Sequence, residues 1–197
     1  MPRLVKGRRG VAAIEFALAS PLLFLLFVGF LDIVYLGRGH MRVQSTTSQI
    51  GQIISQCTTI GSGDTAQITA FAQNALRPYS DNGRGWAVVV TAIQVDASNK
   101  ATAAWVMDSR TAAQKASFAT AGPTLPANLQ PSTDEMVYRT EVFANIESTL
   151  FTSANNLLAG RLGSRSSITL ASSSLLHVSR SPSAAKLGNI NSSESCL

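Results

Sequence analysis

The chain has few of the residues that carry catalysis or bind metals. Its 197 residues include two histidines, His40 and His177, and two cysteines, Cys57 and Cys196, each pair far apart. The sequence contains no P-loop, no G-x-S-x-G elbow, no H-E-x-x-H and no C-x-x-C motif. Its aspartates are scattered at turns, where this residue is common for local hydrogen-bonding reasons. These absences predict a protein that is not an enzyme, with no catalytic residue, no metal site and no cofactor.

Charge is also scarce and unevenly placed. Only 14% of the residues are charged, and the formal net charge is +5. Four cations precede residue 10, namely Arg3, Lys6, Arg8 and Arg9. From residue 37 onward, 12 cations and 9 acids are spread along the chain. Such a small and dispersed excess of positive charge does not form the basic patch typical of nucleic-acid-binding proteins, so we expect no nucleic-acid partner.

A single long apolar run dominates the sequence. Val11 to Leu31 reads VAAIEFALASPLLFLLFVGFL, 21 positions with one charge, Glu15. As a helix this run is about 31 Å long, close to the ~30 Å hydrocarbon core of a bilayer. The run predicts a single-pass transmembrane helix over 11–36, preceded by a basic leader over 1–10. Because the N-terminal side carries more Lys and Arg than Arg38 and Arg42 supply after the run, we expect the N-terminus in the cytoplasm.

A cleavable secretory signal peptide is the alternative to this anchor. Such peptides have an apolar core of 7–15 residues followed by a small-x-small cleavage site. Here the run is longer, no A-x-A triplet follows it, and Glu15 interrupts it. The pattern therefore favours an anchor, with the residues after 36 exported.

Glu15 has two interpretations. A carboxylate in a membrane helix costs about 2.5–3.5 kcal/mol on insertion scales, so Glu15 either reaches back to the cytoplasmic interface or has a function. The functional interpretation joins it to Gly10. The order of basic leader, Gly10, four residues and Glu15 resembles the class III signal of type IV prepilins. The resemblance implies cleavage after Gly10 by a prepilin peptidase, which makes Val11 the new N-terminus and lets Glu15 pair with a positive amine.

The residues that follow narrow the resemblance to one family. Residues 9–23, RGVAAIEFALASPLL, are similar to the TadE family, the minor pseudopilins of tight-adherence (Flp-type) pilus systems. Residues 137–151 and 166–180, around Leu157-Leu158, resemble the closing pair of strands of that family. The resemblance implies a pilin-like fold and a structural role in pilus assembly. It also implies as partners the prepilin peptidase, the major pilin, other pseudopilins and the inner-membrane assembly platform.

The residues after the apolar run predict a helical stem over 37–57. Apolar or methyl-bearing residues recur there at helical spacing, with glutamines on the other faces. The stripe consists of Val43, Thr47, Ile50 and Ile54, and the glutamines are Gln44, Gln49, Gln52 and Gln56. A flexible Gln/Ser/Thr linker is the alternative interpretation.

The remaining residues, 58–180, predict one α+β domain with a small, mainly antiparallel sheet and flanking helices. We expect a helix over 65–76, capped by Asp64, and strands over 86–96, 101–107, 136–146 and 167–178. The first two strands would form a hairpin. In the third strand the even-numbered residues form the more apolar face. Residues 110–120 have weak helical character, 122–134 and 150–162 are connecting segments, and 181–197 form a Ser-rich tail.

The two cysteines leave several states open. In an oxidising periplasm Cys57 and Cys196 can form an internal disulfide, stay free, or pair between subunits. Two other kinds of protein also remain open: an unprocessed membrane-anchored binding module of the cell envelope, and an anchored enzyme with an unrecognised site. The position within pilus assembly and the target surface do not follow from the sequence.

Overall fold

The computed structural model describes residues 9–57, 60–81, 85–95, 100–127, 129, 131, 136–147 and 168–178. Its elements, in chain order, are three helices and four strands. They are α1 Arg9–Gln56, α2 Ser62–Ala75, β1 Trp86–Val95, β2 Ala101–Asp108, α3 Ala112–Ser117, β3 Met136–Glu147 and β4 Ile168–Val178. A long apolar helix followed by a four-stranded sheet with helices is the predicted α+β class, and that prediction is confirmed.

The chain divides into two compact units. One contains residues 1–37 and 147–167, and the other contains residues 38–146 and 168–197. We call the second the sheet unit. The described part of the first unit is residues 9–37 of α1 and Glu147, the last residue of β3.

The sheet has the order β2-β1-β3-β4. β1 pairs antiparallel with β2 on one side, which confirms the predicted hairpin, and antiparallel with β3 on the other. The register of β1 against β2 shifts between Ala92 and Ile93, where β2 contributes one extra residue, a β-bulge. The two central strands are almost entirely buried, which the Val-rich sequence of β1 favours and the mixed sequence of β3 does not indicate.

The stem part of α1 packs by the face that its sequence predicts. Val43, Ile50 and Ile54 are at most 1% exposed, and Thr47 is fully buried. Thr47 Oγ1 donates to the Val43 carbonyl at 2.7 Å, so its hydroxyl is satisfied within the helix. The four glutamines named above are all exposed. This pattern confirms an amphipathic helix and not a flexible linker.

α2 buries a stripe at four-residue spacing, Asp64, Ile68, Ala72 and Leu76. The predicted cap is wrong in detail: the helix begins after Gly61, and Asp64 lies in the first turn, where its carboxylate accepts from the Gly61 N–H at 2.9 Å. An acid in the third helical position reaches back to the cap in this way. Phe71, three residues after Ile68 on the same helix, is exposed.

The odd-numbered face of β3 is covered by the segment that follows β2. Phe118, just after α3, stacks on Phe143 with ring centroids 5.3 Å apart, and both lie in a cluster with Ala87 and Val89. The helix predicted at 110–120 is shorter than expected, because only Ala112–Ser117 is helical. The predicted connector at 150–162 and the tail at 181–197 lie outside the described residues.

Two charged side chains are buried beneath this segment. Arg139 is 6% exposed and donates from Nη1 to the Gly122 carbonyl at 2.7 Å and from Nη2 to the Thr124 carbonyl. Glu141 is 3% exposed and accepts from the Ala121 N–H at 3.0 Å through Oε1. Both ions therefore bind the main chain of one loop, which is how buried charges are usually tolerated.

Candidate functional site

The first half of α1 is the most unusual surface of the chain. Its side chains from Ala12 to Leu31 are exposed with few exceptions, although most are large and apolar. Phe16, Leu18 and Phe24, for example, are 70%, 76% and 66% exposed. An 18-residue window there has a mean hydropathy of 2.3, and 6% of it is buried. Within the described residues, α1 alone is long and apolar enough to cross a membrane.

The predicted processing residues lie at the start of this helix. Arg9, Gly10 and Val11 form the beginning of α1. Glu15 follows one turn later, and its side chain is exposed. The other residues of the topology signal, Arg3, Lys6 and Arg8, lie outside the described residues. Val11 and Glu15 are four positions apart, so they share one face of the helix.

α1 contains a proline, Pro21, without ending there. Proline has no N–H, so the carbonyl four residues earlier, that of Ala17, loses its helical partner. Ser20 Oγ donates to this same carbonyl at 3.4 Å. The Ser-Pro pair thus partly restores the hydrogen bond that the proline removes, which matters most where no water is available.

Asp32 is a functional candidate that the sequence analysis missed. It is 5% exposed, whereas its neighbours Leu31 and Ile33 are 49% and 69% exposed. It also has an interaction partner. The signal was present in the sequence as a second carboxylate directly after the apolar run, but nothing in the sequence indicated its burial.

The stem carries two glycines at close contacts within the sheet unit. A Cβ placed on Gly39 would lie 2.2 Å from Ile146 Cδ1, and one placed on Gly51 would lie 2.2 Å from Cε1 and Nδ1 of His177. Both distances are far below van der Waals contact, so β3 and β4 approach the helix only because these side chains are missing. Arg42 Nη1 also donates to the Ala75 carbonyl at 3.3 Å, which places a cation at the C-terminus of α2.

Cys57, the last residue of the stem and the first after α1, is 2% exposed and disulfide-bonded. Its predicted partner Cys196 lies outside the described residues. The Cys57–Cys196 bridge therefore stays a prediction.

Two grooves of the sheet unit have no paired catalytic groups among their described lining residues. One, of about 470 Å³, lies between α2 and the end of β2, and Asp108 is the titratable residue of its described lining. A second, of about 500 Å³, lies beside the end of the stem, and His177 is the titratable residue of its described lining. Acid–base catalysis generally uses two positioned groups. No cluster of three potential metal ligands occurs among the described residues.

Comparison with known proteins agrees with the geometry of α1. No curated protein and no solved structure matches the chain. One family model does match, described as TadE-like protein, and the match covers residues 10–51. It begins at Gly10 and ends at Gly51, so it contains the apolar helix and most of the stem. The family is structural and associated with Tad pilus systems. The match confirms the resemblance carried by RGVAAIEFALASPLL: along α1, from Gly10 to Gly51, the chain is similar to TadE-like proteins.

Proposed function

We propose that this protein is a membrane-anchored minor pseudopilin that supports assembly of a Flp-type tight-adherence pilus. The observation that carries the proposal is the TadE-like match over residues 10–51, which starts at the glycine of the predicted processing site. The exposed apolar helix supports membrane insertion, since burying such a surface in lipid removes it from water. The role is structural, in priming, capping or supporting the filament.

The proposed topology places residues 1–10 in the cytoplasm, residues 11–36 in the inner membrane and the residues after 36 in the periplasm. The four leader cations against two after the apolar run favour this orientation. The proposed domain organisation follows from it, with a leader over 1–10, an anchor over 11–36, a stem over 37–57, an α+β domain over 58–180 and a tail over 181–197.

Glu15 acquires its role through processing. Cleavage after Gly10 would leave a positive amine on Val11, four positions before Glu15 in the same helix. Side chains at this spacing are about 5–6 Å apart at Cβ, so the carboxylate can neutralise that amine or the amine of a neighbouring subunit. Pairing lowers the cost of both charges in an apolar surrounding. The partners of the proposed function are the prepilin peptidase, the major pilin, other pseudopilins and the assembly platform.

The mature N-terminus tests the proposal most directly. The full chain is expressed with and without a Tad-type prepilin peptidase, and its intact mass is measured. We expect a peptidase-dependent loss of residues 1–10. Unchanged full-length mass in both cases would indicate an unprocessed anchored module instead. Cleavage near Gly37 would identify a secreted protein and overturn the pilus assignment.

A matched pair of glycine variants sharpens this experiment. Gly10→Leu should abolish processing, because the peptidase would need close approach to the main chain at the cut. Gly7→Leu changes the other glycine of the leader and should leave processing intact. Loss of processing in both variants would mean that the leader as a whole, and not Gly10, determines cleavage.

A further inference from the structure

The outer edge of β2 is open to another strand. In the order β2-β1-β3-β4, β2 has a neighbour on one side only among the described strands. The side chains of Trp105 and Met107 are buried. Four other residues of β2 are exposed, namely Thr102, Ala103, Ala104 and Val106. β2 is thus anchored by one set of side chains while its long edge stays accessible.

The register identifies which main-chain groups point outward. Asp108 lies opposite Val89, and the next amide along, that of Ser109, donates to the Val88 carbonyl at 3.1 Å. This arrangement makes Val89 and Asp108 a pair that is not hydrogen-bonded to each other. The N–H and C=O of Asp108 therefore point away from β1. Because this pattern alternates along the strand, the main-chain groups of Met107 bond to β1. The N–H and C=O of Val106 again point away from β1.

β2 lacks the usual protection of an edge strand. Residues 101–107, ATAAWVM, contain no charge and no proline. Natural edges are commonly blocked by Lys, Pro or an inward-pointing charge. The bulge at Ala104 is the one such device present, and it leaves Trp105 to Asp108 regular. The charge of Asp108 is occupied on its own chain, with Oδ1 and Oδ2 each 2.8 Å from a guanidinium nitrogen of Arg110 and Lys115 Nζ 3.5 Å away.

We propose that the outer edge of β2 pairs antiparallel with β2 of a second copy of this chain, about a two-fold axis at Met107. The N–H and C=O of Val106 then exchange hydrogen bonds with Asp108 of the partner subunit, and the reverse, giving four bonds in all. Because residues 101–107 carry no charged side chain, a second β2 can approach this edge without like-charge repulsion along that stretch. Two-fold pairing is also self-complementary, since each copy offers the same two outward residues.

Association of the full chain in detergent, measured by sedimentation over a concentration series, tests the proposal. The wild-type chain should reach the mass of a dimer. Val106→Pro removes an N–H that makes no bond to β1, so the ladder with β1 is kept while two of the four intersubunit bonds are lost. We expect its dissociation constant to rise at least about tenfold. Val106→Thr keeps the N–H and the branched shape and should dimerise like the wild type.

Three results would overturn the proposal. They are a wild-type chain that is monomeric at every concentration, a Val106→Pro chain that folds and still dimerises, and a slowly exchanging Val106 amide in a monomer. The last would mean that another part of the same chain covers this edge. If Val106→Pro does not fold, Val106→Asp decides: it keeps the main-chain N–H, places a carboxylate opposite Asp108 of the partner subunit in both copies, and should be folded and monomeric. A folded dimer of Val106→Asp would equally contradict the proposal.

Discussion

Gly51 of α1 lies directly against the imidazole of His177 of β4. A side-chain carbon at Gly51 would lie 2.2 Å from both Cε1 and Nδ1 of that ring. At this distance a methyl group at position 51 would overlap the ring, so either the imidazole or the strand would have to move. The stem and β4 are thus in close contact at a point where Gly51 has no side chain and His177 has a flat ring.

We therefore expect Gly51→Ala to destabilise the sheet unit by about 1–3 kcal/mol, the usual cost of overpacking. The measurement is thermal or denaturant unfolding of the full chain in detergent, followed by circular dichroism. Gly37→Ala is the matched control, because a Cβ there meets nothing within 4 Å. Alanine is the better helix former by about 1 kcal/mol, so the control should be neutral or stabilising. Equal effects of the two substitutions would show that helix propensity, and not the ring, governs position 51.

The same imidazole should make stability depend on pH. Burial lowers the pKa of His177 below its usual value, and Nδ1 has no hydrogen-bond partner in the described part of the chain. A lowered pKa means that the folded state binds the proton less readily than the unfolded state. The stability that the neutral His177 ring contributes is fully present above the pKa of the unfolded state, near 6.5. It decreases as the pH falls below that value. We expect the free energy of unfolding to decrease between pH 7 and pH 5.

Two variants isolate this effect. His177→Phe keeps a planar ring beside Gly51 without a titrating group, and its stability should be flat over the same pH range. His40→Gln removes the other histidine, which is exposed. The wild-type decrease should persist in it. A decrease that survives in His177→Phe would assign the effect to other groups.

The ion pair at the end of β2 should make the stability of the protein depend on pH in the acid range. The Arg110 side chain donates to both carboxylate oxygens of Asp108 and holds the pKa of Asp108 at about 2. The stabilisation is complete above about pH 4 and is lost as the pH falls through 2. Because the pair is only partly buried, solvent screening limits it to about 1 kcal/mol. Asp108→Asn should lower the free energy of unfolding by this amount at pH 7. Between pH 4 and pH 2, the stability of this variant should decrease less steeply than that of the wild type.

Asp81→Asn is the control for this prediction. Asp81 also forms a salt bridge, 3.2 Å from Arg77, but side-chain exposures of 61% for Arg77 and 39% for Asp81 make it a surface pair. Its removal should change the free energy of unfolding by under about 0.5 kcal/mol at any pH. If the two asparagine variants behave alike, burial at Asp108 contributes nothing.

Local periodicity explains what the sequence could predict. Val43, Thr47, Ile50 and Ile54 recur at helical spacing, and their burial follows from that spacing alone. The β-branched residues of β1 likewise indicate a strand. The pairing of β1 with β3 joins strands that are separated by 40 residues of chain, and no local sequence pattern predicts it.

The missed features share this long-range origin. The even-numbered residues of β3 are the more apolar set, as predicted, but the odd face is buried as well. Arg139 and Glu141 are typical of a solvated face, and they become buried only because the loop at 121–124 supplies main-chain partners. Nothing in the local sequence around Gly39 and Gly51 indicates that either glycine allows a close contact. Their role depends on residues more than 100 positions away, Ile146 and His177.

The proposed charge pair at the N-terminus yields the last prediction. Glu15→Gln is nearly isosteric and removes only the negative charge, so the chain should insert into the membrane more readily and still lose residues 1–10. Assembly should fail, because the free amine of Val11 would then lie unpaired in an apolar surrounding. The measurement is co-purification with the major pilin, together with a count of surface pili. Glu15→Asp keeps the charge and should restore assembly at least in part. Normal piliation by a processed Glu15→Gln chain would show that Glu15 is a residue of the membrane interface with no part in assembly, while cleavage after Gly10 would still stand.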